Sequence, residues 1–107
     1  MRKIKISEDA YLDIEEMFAF ISQDNKVAAK KLRKKIYDEI KGLNDFPFKY
    51  PIIHDADAPG AERGYRYIVV NPYIVFYRVL DNAIVIARIL HIRQNWLHTL
   101  FGSFDEE

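Results

Sequence analysis

The residues best suited to chemistry lie in one short stretch near the end of the chain, RILHIRQNW, residues 88–96. It closes an otherwise apolar, strand-like run with Arg88, His91, Arg93 and Trp96. Histidine changes its charge near neutral pH and transfers protons, while arginine binds phosphates and carboxylates. The stretch is therefore either a polar strand end or a functional surface. The neighbouring elements are needed to distinguish these two interpretations.

Metal and thiol chemistry are not expected. The chain has no cysteine, which excludes disulfides and thiolate zinc sites. Its three histidines, His54, His91 and His98, lack the spacing of metal ligands. We expect neither a metal nor a cofactor.

The composition indicates one folded domain over residues 1–107. Half of the residues are hydrophobic and 14% are aromatic, which is enough for a core. The N-terminal segment MRKIKISEDA lacks the apolar region of a signal peptide, and no apolar run approaches the roughly 20 residues that span a bilayer. These features predict a soluble, cytoplasmic protein without membrane contact.

The formal net charge of zero conceals two segments of opposite sign. Acidic residues come first, with no Lys or Arg among them: Glu8, Asp9, Asp13, Glu15, Glu16 and Asp24. Basic residues follow, opposed only by Asp38 and Glu39: Lys26, Lys30, Lys31, Arg33, Lys34, Lys35 and Lys41. Either the two segments pair as neighbouring helices, or the second offers a basic face to nucleic acid or an acidic partner.

The apolar spacing predicts two helices, over residues 7–23 and 25–43, that form a hairpin. Ser7 is a good N-cap for the first, and Asp24 or Asn25 caps the second. The expected apolar stripes are Ala10, Ile14, Met17 and Ile21 in the first helix, and Ala28, Leu32, Ile36, Ile40 and Leu43 in the second. Neither helix can bury its stripe alone, so the hairpin should pack on a sheet.

A proline- and glycine-rich loop over residues 47–64, with one possible short strand at Ile52 and Ile53, precedes a run of strands. The β-branched and aromatic residues predict a three-stranded antiparallel meander over 65–70, 73–80 and 84–91. With RKIKIS as a further strand, the fold class is α+β in the order β-α-α-β-β-β. A short amphipathic helix is expected at Trp96 and the residues that follow it.

Two-residue turns at Asn71-Pro72 and Asp81-Asn82 would place Arg66 opposite Tyr77 and Tyr77 opposite Ile86. One face then carries Arg66, Tyr73, Tyr77, Arg88 and Leu90, and is expected to be a surface. The other face carries Ile74, Phe76, Leu80, Val85, Ala87 and Ile89, with Arg78 and His91 near its ends, and is expected to be the core. One extra residue would reverse this parity.

These elements resemble the RelE/ParE superfamily of toxins from bacterial type II toxin–antitoxin systems. The resemblance covers about residues 3–97 and is carried by the helical pair and by YRYIVVNPYIVFYRVLDNAIVIARILHIR, which contains Arg66. It implies a small toxin held inactive by a cognate antitoxin, with operator DNA bound only through that antitoxin.

One branch of the superfamily, the RelE-like toxins, consists of ribosome-dependent endoribonucleases that cut mRNA without a metal. The resemblance to it implies that Arg66, supplemented by Arg88 or Arg93, stabilises charge on the phosphate while His91 transfers a proton. Aromatic rings would stack on a base, namely those of Tyr67, Tyr73 and Tyr77. In a nuclease the predicted catalytic residues are therefore Arg66, Tyr77, Arg88 and His91.

The chain departs from the nuclease pattern at several points. Ile92 stands where one nuclease subgroup has a tyrosine, and only Asp55 and Glu62 are near in sequence as a possible loop base. A neutral chain also gains little from counterion release on ribosomal RNA. In these respects the nuclease branch fits less well.

The ending LHIRQNW is more similar to the ParE and plasmid-stabilisation branch, whose members poison DNA gyrase. In this interpretation Arg93 and Trp96 form a docking surface for the target. We favour gyrase poisoning, with the mRNA endoribonuclease as the alternative. A third alternative is a non-toxic module that binds an antitoxin and takes part in DNA autorepression.

The cognate antitoxin is expected to contact the basic second helix. Lys30, Lys34 and Lys41 suit an acidic, partly disordered segment that wraps the helical hairpin. The alternative for the predicted site residues is purely structural: Arg66 and Arg88 stack on Tyr77, and His91 donates a hydrogen bond to a backbone carbonyl at a strand end.

Overall fold

The computed structural model describes residues 2–53, 64–94 and 99–100. Its elements are β1 (Lys3–Ile6), α1 (Glu8–Ser22), α2 (Lys26–Gly42), β2 (Arg66–Val70), β3 (Tyr73–Val79) and β4 (Ala83–His91). The predicted α+β class and the order β-α-α-β-β-β are confirmed, and both helices and the three meander strands begin and end within one residue of their expected bounds. The expected C-terminal helix lies largely outside the described residues, apart from the helical Thr99 and Leu100.

The corner between β1 and α1 is fixed by Ser7. Its Oγ accepts a hydrogen bond from the Ala10 amide at 3.0 Å and donates one to the Ala87 carbonyl at 2.8 Å. The cap satisfies one of the amides that a helix leaves free at its start, and the second bond ties this corner to β4. Ser7 is therefore the N-cap that the sequence predicts and also a link between helix and sheet.

The second helix begins at Asn25, whose Oδ1 accepts from the Ala28 amide at 3.0 Å. Of the two predicted caps, Asn25 is thus the one used. Ile36, Ile40 and Leu43 of the predicted stripe are buried, but Ala29 is buried where the sequence indicated Ala28. The hairpin packs chiefly through α1, which lies against β4, while α2 covers α1 and part of β2.

The four strands form one sheet in the order β1-β4-β3-β2. β1 runs parallel to β4, because the helical hairpin carries the chain across the sheet, and the other neighbours are antiparallel. Near the β2 edge, Ile52 forms a single bridge with Arg66, which agrees with the short strand considered for this part of the loop. No helix among the described residues is long and apolar enough to cross a membrane.

An irregularity in β4 changes the predicted faces of the sheet. Arg66 faces Tyr77 and Tyr77 faces Ile86 as predicted, but Phe76 faces Arg88, so that Ala87 is an extra residue in β4. Beyond such a β-bulge the alternation of side chains is reversed. The prediction was therefore wrong for four positions: Ile89 and His91 lie on the face of Tyr77, while Arg88 and Leu90 pair with residues of the other face.

The predicted choice of core face was also wrong, because both faces of the sheet are apolar. Tyr77 lies with the helices in the larger cluster, together with Val75, Ile84, Ile86 and Ile89. The opposite face carries a second cluster of buried residues: Ile53, Ile74, Phe76, Leu90 and Leu100. Since β3 is covered on both sides, its sequence YIVFYRV is a nearly continuous apolar run rather than an alternating one.

Candidate target-docking site

Two of the predicted catalytic residues hold the loop that follows α2. The Tyr77 side chain is fully buried, and its hydroxyl donates to the Pro47 carbonyl at 2.9 Å. Arg66 donates through Nη1 to the carbonyls of Tyr50 at 2.7 Å and Phe48 at 3.4 Å. Its guanidinium also lies 5.1 Å from the Phe48 ring centre, so it stacks on Phe48 and not on Tyr77 as the structural alternative proposed. Both side chains therefore anchor the backbone of the loop that follows α2.

Burial raises the pKa of the Tyr77 hydroxyl, and the nearby Arg66 only partly offsets this effect. Burial also raises the pKa of Tyr73. Both phenols therefore stay protonated at neutral pH, and neither is available as a base. Of these two rings, only that of Tyr73 is accessible enough to contact another molecule.

Arg88 is bound to α1 by a carboxylate that the sequence did not identify as functional. Its Nε and Nη2 donate to Asp13 at 2.8 and 2.9 Å, and the Ile89 amide donates to the same carboxylate at 2.9 Å. The hydrogen bonds to Asp13 raise the pKa of Arg88, although burial opposes them. The Asp13 side chain is only 10% exposed. The Asp13 carboxylate therefore joins α1 to β4 at the bulge, beyond the end of β1.

His91 stands at the end of β4 and is half-buried. Its ring contacts Tyr73 edge-on, with 5.2 Å between ring centres, and its Nδ1 accepts a hydrogen bond from the Arg93 amide at 3.0 Å. The histidine therefore closes the turn after β4. This differs from the predicted structural alternative, a hydrogen bond from His91 to a strand-end carbonyl.

The four predicted catalytic residues fall into two separate pairs, because Arg66 lies opposite Tyr77, whereas Arg88 and His91 line one groove at the end of β4. His91 pairs with Tyr73, whereas Arg66 pairs with Tyr77. The backbones of Arg66 and His91 are therefore separated by four residues along the strand direction, roughly 13 Å, and by two strand spacings across the sheet, about 10 Å. Arg88 lies between them but is directed to Asp13. Among the residues that the structure describes, these four side chains therefore do not form one close group of acid, base and charge stabiliser, which phosphodiester cleavage needs.

What the end of β4 does form is an open groove beside α1. The groove has a volume of about 380 Å³ and is lined by Asp13, Glu16, Met17, Phe20, Tyr73, Arg88, Ile89, His91 and Gln94. We call it the strand-end groove. Its apolar part includes Phe20, which is 68% exposed. A surface that combines an exposed aromatic ring with polar groups suits contact with another macromolecule.

The remaining predicted site residues lie on the surface or outside the described part of the chain. Arg93 is exposed in the turn beside the strand-end groove, whereas Trp96 lies outside the described residues, as do Asp55 and Glu62. Lys30, Lys34 and Lys41 are all exposed on α2. Lys34 donates to Asp38 at 2.7 Å within the helix, so its charge is partly compensated.

The most informative residue that sequence reasoning missed is Asp13. It was noted only as one of several acidic residues, yet it lies beside the buried Ile14 on a helix whose other carboxylates are mostly exposed. A carboxylate at the margin of an apolar stripe needs a partner when the helix docks. That position, together with a lone arginine in an apolar strand, was the available signal.

The comparisons with known proteins agree with this fold. The family model described as ParE toxin of type II toxin-antitoxin system, parDE, matches residues 4–96. The chain belongs to the ParE toxin family. The predicted resemblance to the RelE/ParE superfamily is thereby confirmed. No curated protein matches the chain by sequence.

Solved structures of similar fold include a ParDE system and two structures of YoeB. The chromosomal ParDE TA system from P. aeruginosa matches with a TM-score of 0.66 and 20% identity, over 85% of this ParE-family chain and 96% of that one. The YoeB dimer from Staphylococcus aureus gives 0.55 and 22%, over 81% and 92%. The YoeB-YefM complex from the same organism gives 0.55 and 24%, over 85% and 97%. At these identities the likeness shows a shared fold.

Proposed function

We propose that this chain inhibits growth by poisoning DNA gyrase and that it docks on its target through the end of β4. The observation that supports this most is the separation of Arg66 and Tyr77 from Arg88 and His91. Three of these side chains are bound to the loop after α2 or to α1, and His91 closes a turn. A docking toxin needs an accessible surface, and the strand-end groove with Arg93 beside it supplies one.

The alternative of mRNA cleavage would require a rearrangement of these contacts. Arg66 would have to leave the carbonyls of Phe48 and Tyr50, and Arg88 would have to leave Asp13. Breaking a largely buried arginine–carboxylate pair is costly because it leaves a charge without its partner. This cost makes cleavage less compatible with the fold than docking is.

The decisive experiment compares DNA damage with mRNA integrity after brief expression of the chain. Gyrase poisoning predicts cleaved DNA trapped on purified gyrase and an induced DNA-damage response, with mRNA 5′ ends unchanged. Codon-phased cuts confined to translated mRNA would overturn the proposal in favour of the nuclease. Absence of both effects, with normal colony formation, would support the non-toxic module instead.

Point variants test whether the end of β4 is the docking surface. Arg93→Glu and Trp96→Ala should each relieve toxicity by at least about tenfold, because charged and aromatic anchors dominate protein interfaces. Lys5→Glu is the matched control, since it makes the same kind of charge change at an exposed position of β1. It should leave toxicity intact.

His91→Gln separates docking from catalysis. His91 lines the strand-end groove, but glutamine keeps a polar side chain of similar reach there, so a docking protein should retain most toxicity. Loss of proton transfer in a nuclease instead costs about 10² to 10⁴ in rate. A His91→Gln variant that folds normally but is non-toxic, beside a fully toxic Arg93→Glu variant, would contradict the docking proposal.

We further propose that the cognate partner is an antitoxin whose acidic segment lies along α2. A second groove, of about 350 Å³, lies between the end of α1, α2 and the β2–β3 turn. It is lined by Ile21, Ala28, Lys31, Leu32, Lys35 and Asn71. We call it the hairpin groove. Its floor is apolar and its rim carries two ammonium groups, so it suits an amphipathic acidic segment. The predicted contacts Lys30, Lys34 and Lys41 are exposed on another face of the same helix.

A further inference from the structure

The two helices carry equal and opposite formal charges. α1 contains five carboxylates and no cation, giving −5, and α2 contains seven cations and two carboxylates, giving +5. The ion pairs found within the described residues, Arg88 with Asp13 and Lys34 with Asp38, do not join the helices. The seam between α1 and α2 instead holds Arg33 over the Phe18 ring at 3.8 Å. Most of the charge on each helix is therefore left facing solvent.

Each helix presents a ridge of exposed residues opposite its buried stripe. On α1 the acidic ridge consists of Glu8, Leu12, Glu15 and Ala19. On α2 the basic ridge consists of Val27, Lys31, Lys34, Asp38 and Lys41. Both follow the spacing of one helix face. Leu12 is 52% exposed and Val27 is 64% exposed, so each ridge also offers an apolar side chain to a partner.

We propose that this helical face binds a second copy of the chain. Because α1 and α2 form an antiparallel hairpin, a two-fold axis along the hairpin places α1 of each copy over α2 of the other. Glu8 of one copy then lies near Lys41 of its partner, and Glu15 lies near the segment from Lys31 to Lys34. Every contact occurs twice. The face is therefore complementary to itself in charge.

The size of the face sets the strength of the association. A 15-residue α1 is about 22 Å long, and two adjacent helices are about 20 Å wide with their side chains, so the pair of surfaces totals roughly 900 Å². Stable complexes bury about 1,200–2,000 Å². The dimer is thus weak, and because exposed charges are screened by salt, it dissociates as ionic strength rises.

Self-association would have a regulatory consequence that rests on the proposed antitoxin contact. The basic ridge cannot bind α1 of a second copy and an acidic antitoxin segment at the same time. The antitoxin would therefore bind the monomer and compete with dimer formation.

Sedimentation equilibrium of the full chain tests the proposal. At 50 mM salt the chain should show a concentration-dependent monomer–dimer equilibrium, and at 500 mM salt it should be monomeric. Reversal of α1 charges with Glu8→Lys and Glu15→Lys should weaken the dimer at least about tenfold, since like charges then oppose each other. Reversal on α2 with Lys31→Glu and Lys41→Glu should do the same.

Combining all four substitutions restores opposite charges across the interface and should restore dimerisation. The matched control, Lys3→Glu with Lys5→Glu on exposed positions of β1, should leave the equilibrium unchanged. A wild-type chain that is monomeric at every concentration overturns the proposal. So does a dimer that survives either reversal, or a fourfold variant that stays monomeric while its circular dichroism is native. Measured at protein concentrations too low for dimer formation, the affinity of the antitoxin for the monomer should be unaffected by the α1 reversal, which distinguishes failure here from failure of the proposed antitoxin contact.

Discussion

At the scale of single residues, Asp13 joins helix, strand and bulge. Its carboxylate accepts three hydrogen bonds, two from Arg88 and one from the Ile89 amide. The amide belongs to the part of β4 that extends beyond β1, so it would otherwise point from an open sheet edge. Asp13 therefore satisfies a backbone group and a charge together.

Replacing Asp13 should destabilise the fold more than replacing any exposed carboxylate on α1. We expect Asp13→Ala to lower the free energy of unfolding by about 2–3 kcal/mol, because it leaves Arg88 and an amide without their partner. Urea denaturation measures this, with Glu15→Ala as the exposed control that should stay within about 0.5 kcal/mol. If the effects of Asp13→Ala and Arg88→Ala simply add in the double variant, the two side chains are not coupled and the explanation is wrong.

Tyr50 gives a prediction on pH. Its hydroxyl donates to Glu39 at 2.7 Å, and this hydrogen bond, with burial, raises the pKa of Tyr50 to about 12. An unfolded tyrosine has a pKa of about 10. The stability that Tyr50 contributes is therefore present below pH 10 and is lost as the pH rises toward 12.

Between pH 9 and 11.5, the free energy of unfolding should fall more steeply in the wild type than in Tyr50→Phe. A parallel decline in both proteins would refute the link to Tyr50. Glu39→Gln should shift the absorbance titration of Tyr50 toward lower pH, because it removes the carboxylate that favours the protonated phenol.

At the scale of elements, the caps of the two helices differ in what they hold. The Ser7 side chain bonds to its own helix and to the Ala87 carbonyl, whereas the Asn25 side chain bonds to the Ala28 amide at an exposed helix end. We expect Ser7→Ala to cost about 2 kcal/mol and Asn25→Ala about 1 kcal/mol, the usual range for a lost cap. Thermal or urea unfolding of both variants checks this order. Equal losses would mean that the bond from Ser7 to β4 adds nothing.

Local pattern was sufficient to predict these elements. The spacing of Ala10, Ile14 and Met17 and the cap at Ser7 depend on residues close in sequence, so the helix bounds followed directly. The strands were equally clear from their β-branched and aromatic runs. The extra residue Ala87 was not, because a bulge depends on how two strands twist against each other and on what fills the gap, here Asp13 and Arg88.

The site was less predictable than the fold for a related reason. Arg66, Tyr77 and Arg88 are residue types that could act on a phosphate, but their partners are far away in sequence or are backbone carbonyls. Spacing along the chain does not indicate such partners. The distinction between a catalytic arginine and an anchoring one lies in the hydrogen bonds, which only the folded chain provides.

At the scale of the whole molecule, a net charge of zero hides a strong separation of charge between α1 and α2. This separation makes the proposed antitoxin contact sensitive to salt. Reversing Lys30, Lys34 and Lys41 together should weaken antitoxin binding by at least about tenfold, and the loss should come mainly from slower association. Calorimetry across a salt series measures the loss of affinity.

The same substitutions should flatten the dependence of antitoxin affinity on salt, since fewer charges remain to be screened. Lys34 should contribute least of the three, because its ammonium is already paired with Asp38. Reversal of the charges of Lys3 and Lys5, which also replaces positive with negative charge, is the control. Unchanged affinity in the triple variant would place the antitoxin elsewhere on the toxin.

The second apolar cluster has a practical consequence for shortened chains. Leu100 lies against the face formed by Ile74, Phe76 and Leu90, and is itself only 9% exposed. A chain cut after residue 94 would keep the helical hairpin and the four described strands, yet it would lose Leu100 and expose part of an apolar sheet face. Such faces drive aggregation. Low yields or inclusion bodies from a truncated toxin would then result from the loss of Leu100 and would carry no information about toxicity.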